Sequence, residues 1–186
     1  MSPLQWLREH TGHSNPLVAA SNETAVLIAS NQPFYPLYIW YLIGSNGALL
    51  SLLTLLSTLL FVLTPLVSRY DTCLSRAVPV LAGAANTLMC VQIFGLASGV
   101  ELFLIPCVML AALSYSRADR VWALTLIGLI AIAYIGLRLI HVAPWAELGG
   151  EDNKSLFKLH AFSVAGLSAY IAWTFFKVYK ARFAGR

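Results

Sequence analysis

Six residues have the types and spacing for binding chemistry: Gln92, Glu101, Tyr134, Arg138, His141 and His160. Tyr134, Arg138, His141 and Trp145 follow one another at intervals of four, three and four, which puts them on one helical stripe. His160 heads another face, continued by Ser163, Leu167 and Tyr170, while Gln92 closes one apolar run and Glu101 opens the next. Ionisable groups inside membrane segments usually face the bundle interior and mark function. The six residues are therefore expected to share a ligand-binding pocket near the outer surface. Each also has a plainer role. Glu101 suits a helix start, Arg138 can extend to lipid headgroups, and Tyr134 and Trp145 suit an aromatic belt. The two histidines raise a second reading, a membrane subunit of a redox complex holding haem b or quinol. Both sit at the ends of apolar runs rather than inside them, so no cofactor or metal is assigned.

No catalytic signature accompanies these residues. The chain contains no GxSxG, HExxH or phosphate-binding glycine loop. Cys73, Cys90 and Cys107 form no CxxC pair and suit buried small side chains. The expectation is a protein that is not an enzyme.

The elements that must hold these residues are set by composition. Apolar residues make up 59% of the 186 positions and charged residues 11%, against about 45–50% and about 25% in soluble domains. An all-α membrane helix bundle follows, because lipid leaves backbone polar groups no partner outside a helix or closed barrel. Five spans are expected: residues 36–67, 74–96, 99–115, 118–141 and 156–179. The first is 32 residues long, about 48 Å as a helix, which exceeds a hydrocarbon core of about 30 Å. It must tilt, protrude or break, and Gly44-Ser45-Asn46-Gly47 is its weak point. Phe34, Tyr35, Tyr38, Trp40 and Tyr41 suit an interface. Ser98-Gly99-Val100-Glu101 fits a capping box, Ser116 to Asp119 fits one less well, and Pro79 falls in the first turns of its span. Asn86, with Gly83, Thr87 and Cys90, reads as a helix-packing seam whose amide bonds a neighbouring helix. Residues 16–30 are too short and polar to span. They are expected to lie on the surface or re-enter, with a sixth span as the alternative.

Charge gives orientation. Arg69, Arg76, Arg117, Arg120, Lys177, Lys180, Arg182 and Arg186 fall on one side of the five spans; Arg8, Arg138, Lys154 and Lys158 fall on the other. The positive-inside rule makes the first side cytoplasmic. The basic residues flank apolar runs, which argues against nucleic acid as a partner despite a pI near 9.1. The expected organisation is an extracytoplasmic segment 1–33 without a signal peptide, a transmembrane bundle 34–180, and a basic cytoplasmic tail 181–186. Expected partners are membrane lipid, a small or lipidic ligand, and another membrane protein.

Residues 86–115, NTLMCVQIFGLASGVELFLIPCVMLAALSY, together with Arg117, Arg120 and the closing LFKLHAFSVAGLSAYIAWTFF, resemble the membrane input regions of bacterial nucleotide cyclases and sensor kinases. Those regions pair two helices through a tight SG-containing turn, then an acidic or histidine residue and an aliphatic-aromatic run. Over residues 37–180 the resemblance implies a five- or six-helix sensory bundle in a bacterial inner membrane. In that family the last helix leads into an output domain. This sequence stops at Arg186, so the resemblance implies an output in a separate partner or an accessory role.

Overall fold

Glycine, proline and aspartate set where the helices stop and start. In the computed structural model, which describes residues 10–140 and 143–184, α1 spans Pro16–Asn31 and α2 spans Tyr35–Ile43. They are followed by α3 Ser45–Ser51, α4 Leu55–Val67, α5 Thr72–Phe94, α6 Leu104–Ser114, α7 Arg120–Leu139 and α8 Gly150–Ala184. Short 3-10 turns join α1 to α2, α3 to α4, and α5 to α6. Asn15 caps α1 by accepting from the Leu17 amide, and Asp71 caps α5 by accepting from the Cys73 and Leu74 amides. Gly44 breaks the first apolar run with φ +83°, a conformation costly for any residue with a Cβ. Pro79 is the eighth residue of α5, two turns inside it rather than in the first.

The cross-links define two ends. At the basic end Asn22 Nδ2 donates to Ser68 Oγ, Arg76 reaches Ser114 and Asp119, and Tyr179 donates to the Leu113 carbonyl. At the far end Tyr35 meets His160, Gln92 and Ile93 hold the backbone of residues 145 and 146, and Arg138 meets Glu101. Among the described residues the chain runs between these ends six times, turning near residues 44, 68, 96, 116 and 146. Four stretches are long and apolar enough to cross a membrane: Gly47–Val67, Thr72–Phe94, Arg120–Leu139 and Gly150–Ala181. The expected third span is a shorter apolar helix, Val100–Ser114.

α1 departs most from expectation. It is not peripheral: Leu17, Val18, Ser21, Thr24 and Ala25 are fully buried, and it packs against α4, α5, α6 and α8. Small side chains permit that close packing. Residues 16–33 therefore belong to the bundle rather than to a separate N-terminal segment. Residues His13, Pro16 and Glu23 line a groove with Lys177 and Ala181. The start of the described chain thus lies at the same end as the C-terminal part of α8, not opposite it.

The main core joins Leu17, Val80, Leu110, Leu126 and Phe175 across five helices, and a second core at the far end joins Ile39, Phe94, Val100 and Leu156. Outside them α4 and α7 expose Leu56, Leu59, Val62, Val121, Leu124, Ile132 and Leu139. In water such a surface would aggregate; it suits contact with lipid tails.

Candidate functional site

The expected outer pocket divides into three separate arrangements. Arg138 Nη2 lies 3.4 Å from Glu101 Oε1, and its guanidinium sits 5.2 Å from the Tyr134 ring centroid. Those three residues come together. Gln92 does other work: its Nε2 donates to the Ala143 carbonyl and its own carbonyl accepts from the Trp145 amide. It ties the α7–α8 loop to the end of α5. The helical stripe stops early, because α7 ends at Leu139 and Ile140 is extended. Trp145 is thereby carried into the loop, and His141, like Arg8, lies outside the described residues.

Glu101 does not act in a capping box. Ser98 Oγ donates back to the Gly95 carbonyl, and the helix start at Gly99 has no side-chain cap. Glu101 Oε2 is buried without a partner. Ser116 likewise donates to Asp119 Oδ2 rather than capping α7, and that carboxylate is shared with Arg76.

His160 is fully buried. Its Nδ1 lies 2.8 Å from the Ser98 carbonyl and its Nε2 lies 3.0 Å from the Tyr35 hydroxyl. A carbonyl only accepts, so Nδ1 carries the proton, and in the neutral ring Nε2 accepts from Tyr35. Tyr35 and Phe103 pack on the imidazole at centroid distances of 6.0 and 5.9 Å. Both nitrogens are thus engaged within the protein. Among the described residues no three His, Cys, Asp or Glu side chains gather into a metal-binding group.

The main cavity lies deeper, behind that histidine. It has a volume of about 440 Å³ and is lined by α1, α2, α4, α5, α6 and α8. None of the five described site residues lines it, but Tyr35 and Phe103, which contact His160, do. Most of the wall is apolar, including Phe61, Val100, Leu110 and Ile171. The polar groups converge from three sides: Asn31, Gln32 and Tyr35 from the α1–α2 junction, Asn86 from α5, and Ser163 and Tyr170 from α8. A largely apolar pocket with a few placed polar groups is the usual form of a small-molecule site.

Two amides organise the cavity. Gln32 Nε2 donates to Ser57 Oγ at 2.6 Å. The single Ser57 proton is shared between the Thr54 carbonyl at 2.7 Å and Asn86 Oδ1 at 3.2 Å. Asn86 therefore makes the interhelical bond expected of it, to α4, and also faces the cavity. Ser163, Leu167 and Tyr170, expected on one face, all line the cavity. Gln32 escaped the sequence reading, although an Asn-Gln pair before Pro33 within an otherwise apolar stretch is the signal that could have found it. Tyr170 also donates to Glu23 Oε1 at 2.9 Å, linking the cavity to the groove beside α1.

No family model matches this chain, and no curated protein or solved structure proves similar to it.

Proposed function

We propose that this chain is a ligand-binding helix bundle of the bacterial inner membrane, a sensory input or accessory subunit rather than an enzyme. The observation that carries this reading is the 440 Å³ cavity inside the bundle. Its size falls within the range of about 300–1,000 Å³ common to ligand pockets. Among the described residues no carboxylate, imidazole or amine lines it. The resemblance of residues 86–115 to cyclase and kinase input regions supports a sensory role, with output through a partner protein in the same membrane.

The basic end, with Arg69, Arg117, Arg120, Lys177 and Lys180, is cytoplasmic on this reading. The packing of residues 13–23 beside the C-terminal part of α8 brings the start of the described chain to that face too. Reporter fusions after Arg117 and Arg186 should read as cytoplasmic, and one after Glu151 as external. The reverse pattern would overturn the orientation.

Gly166 tests the ligand-binding role. It lines the cavity, and a Cβ there would meet nothing within 4 Å. Gly166→Trp should fill the space. The unaltered protein, purified in mild detergent, should carry a stoichiometric small molecule by native mass spectrometry, and the variant should lose it. Identical spectra would sink the reading.

A further inference from the structure

We propose that the cavity holds a neutral lipid alcohol drawn sideways from the bilayer through the gap between the α1–α2 junction and α8. This inference rests on the ligand-binding reading and adds the chemical class and route of the ligand.

The route follows from a helix break at membrane depth. The chain leaves α-helical hydrogen bonding at Gln32–Phe34, with Pro33 lacking an amide proton. Lipid tolerates such backbone only where it is buried in protein or lines a cavity, and here Asn31, Gln32, Phe34 and Tyr35 all line one. Leu27, Phe34 and Tyr38 in the lining are 38%, 52% and 45% exposed. Across the gap stands Gly166, exposed and without a side chain. The cavity therefore opens on the lipid-facing side of the bundle rather than at a water-facing end.

The head group follows from the unused hydrogen-bonding capacity. Gln32 is only 7% exposed. One Nε2 proton goes to Ser57, and among the described residues Oε1 is left as an acceptor without a hydrogen-bond partner. Asn86 Oδ1 meets Ser57, and among the described residues Nδ2 is left as a donor without one. One hydroxyl satisfies both, donating to Gln32 Oε1 and accepting from Asn86 Nδ2. A carboxylate or ammonium head would enter a lining without a counter-charge among the described residues, at a large desolvation cost. A plain alkane would leave both amides unpaired.

Three photoreactive probes with one alkyl chain decide it: a diazirine hexadecanol, the matching hexadecanoate and the matching hexadecane. The full chain is reconstituted in phosphatidylethanolamine–phosphatidylglycerol vesicles, and labelled peptides are mapped by mass spectrometry. The alcohol should label residues 27–38 and the α8 segment around Gly166 most strongly. Gln32→Met and Asn86→Leu should each reduce alcohol labelling by about tenfold while leaving hexadecane labelling unchanged. The retained hexadecane labelling shows that the variant still folds around the cavity. If Asn86→Leu loses it, Gln32→Met decides alone. Gly166→Leu narrows the mouth and should slow labelling by alcohol and alkane alike; an unchanged rate overturns the lateral route. Equal labelling by hexadecanoate or hexadecane overturns the alcohol class but keeps the site. Failure of every probe to label these segments overturns the lipid class, while the ligand-binding reading is then decided by the small molecule sought in native mass spectra.

Discussion

The two ends of the bundle are each held by one buried polar side chain, and the two differ in kind. At the basic end Arg76, 1% exposed, uses four of its five donors. Its Nε donates to the Thr72 carbonyl, Nη1 to the Ser114 carbonyl, and Nη2 to Asp119 Oδ2, while its guanidinium lies 4.5 Å from the Tyr115 ring centroid. At the far end the buried hub is neutral, His160 between Ser98 and Tyr35. The far end has an ion pair too, Arg138 with Glu101, but there the arginine side chain is 49% exposed. Formal charge alone does not tell which residue holds the structure. Burial and completeness of partners do: a buried donor or acceptor stripped of its partner costs its full desolvation, whereas an exposed one turns to water.

Arg76 should give the largest effect. Arg76→Met keeps much of the apolar stem but leaves the Ser114 carbonyl without its donor and Asp119 without its counter-charge, with Ser116 alone donating to it. Removing one partner of a buried ion pair costs about 3–5 kcal/mol. Asp119 is 30% exposed and keeps some water, so about 3 kcal/mol is expected as a fall in thermal stability in detergent. Arg76→Lys should recover little, since one ammonium cannot reproduce the fork. Full rescue by lysine would mean that charge alone matters at this end. The Tyr115 phenol beside it is pushed above its usual pKa by burial, so Tyr115 stays a neutral donor to the Cys73 carbonyl across the physiological range.

His160 comes next. His160→Phe preserves the packing against Tyr35 and Phe103 but strands the Ser98 carbonyl and the Tyr35 hydroxyl. A loss of about 1–3 kcal/mol follows. Because Tyr35 lines the cavity, this variant should also change probe labelling there, which Arg76→Met should not if it is assayed below its melting point. Equal effects of both variants on labelling would erase the distinction between a structural hub and one coupled to the cavity.

Helical class and the main breaks were legible in the sequence because their causes are local. Apolar runs without charge fix the long spans, and Gly44, Gly95 and Gly99 supply positive φ where the chain turns. α1 was not legible. Its buried face carries Ser21, Asn22 and Thr24 beside Leu17 and Ala25, and only the neighbouring helices make those polar groups acceptable: Asn22 needs Ser68 from the end of α4. Hydropathy counted along the chain cannot see that partner. Arg76 read as one orientation charge among eight, since nothing in its neighbourhood announces the Ser114 carbonyl or Asp119. The helical stripe ends at Leu139, where the helix stops, and Tyr134 and Arg138 share a face before that point. The cavity was half visible. Asn86, Ser163 and Tyr170 drew notice as packing or as a shared face, but the space between them exists only once α1 and α2 close it.

The smallest effect is expected at Glu101 and Arg138. Their distance of 3.4 Å is long for a charge-assisted hydrogen bond, and the exposed guanidinium can turn to water or headgroups. The carboxylate is different: its side chain is 10% exposed, and Oε2 is buried without a partner. The pair should therefore be asymmetric. Arg138→Gln leaves a poorly hydrated carboxylate and should cost up to about 1 kcal/mol. Glu101→Gln leaves an arginine that already meets solvent and should cost less. In a double-variant cycle on thermal stability the coupling should be about 0.5–1 kcal/mol, falling as salt is raised because the arginine is exposed. Charge reversal sharpens the test. Each single reversal places like charges face to face, and the double reversal should restore part of the loss. Recovery stays partial because an arginine at position 101 must occupy a site shaped for a shorter, more buried side chain. If the double variant is as impaired as the sum of the singles, the two residues do not interact. Arg138 would then belong to the headgroups, and the far end would be held by His160 without help from the one ion pair across helices seen there among the described residues.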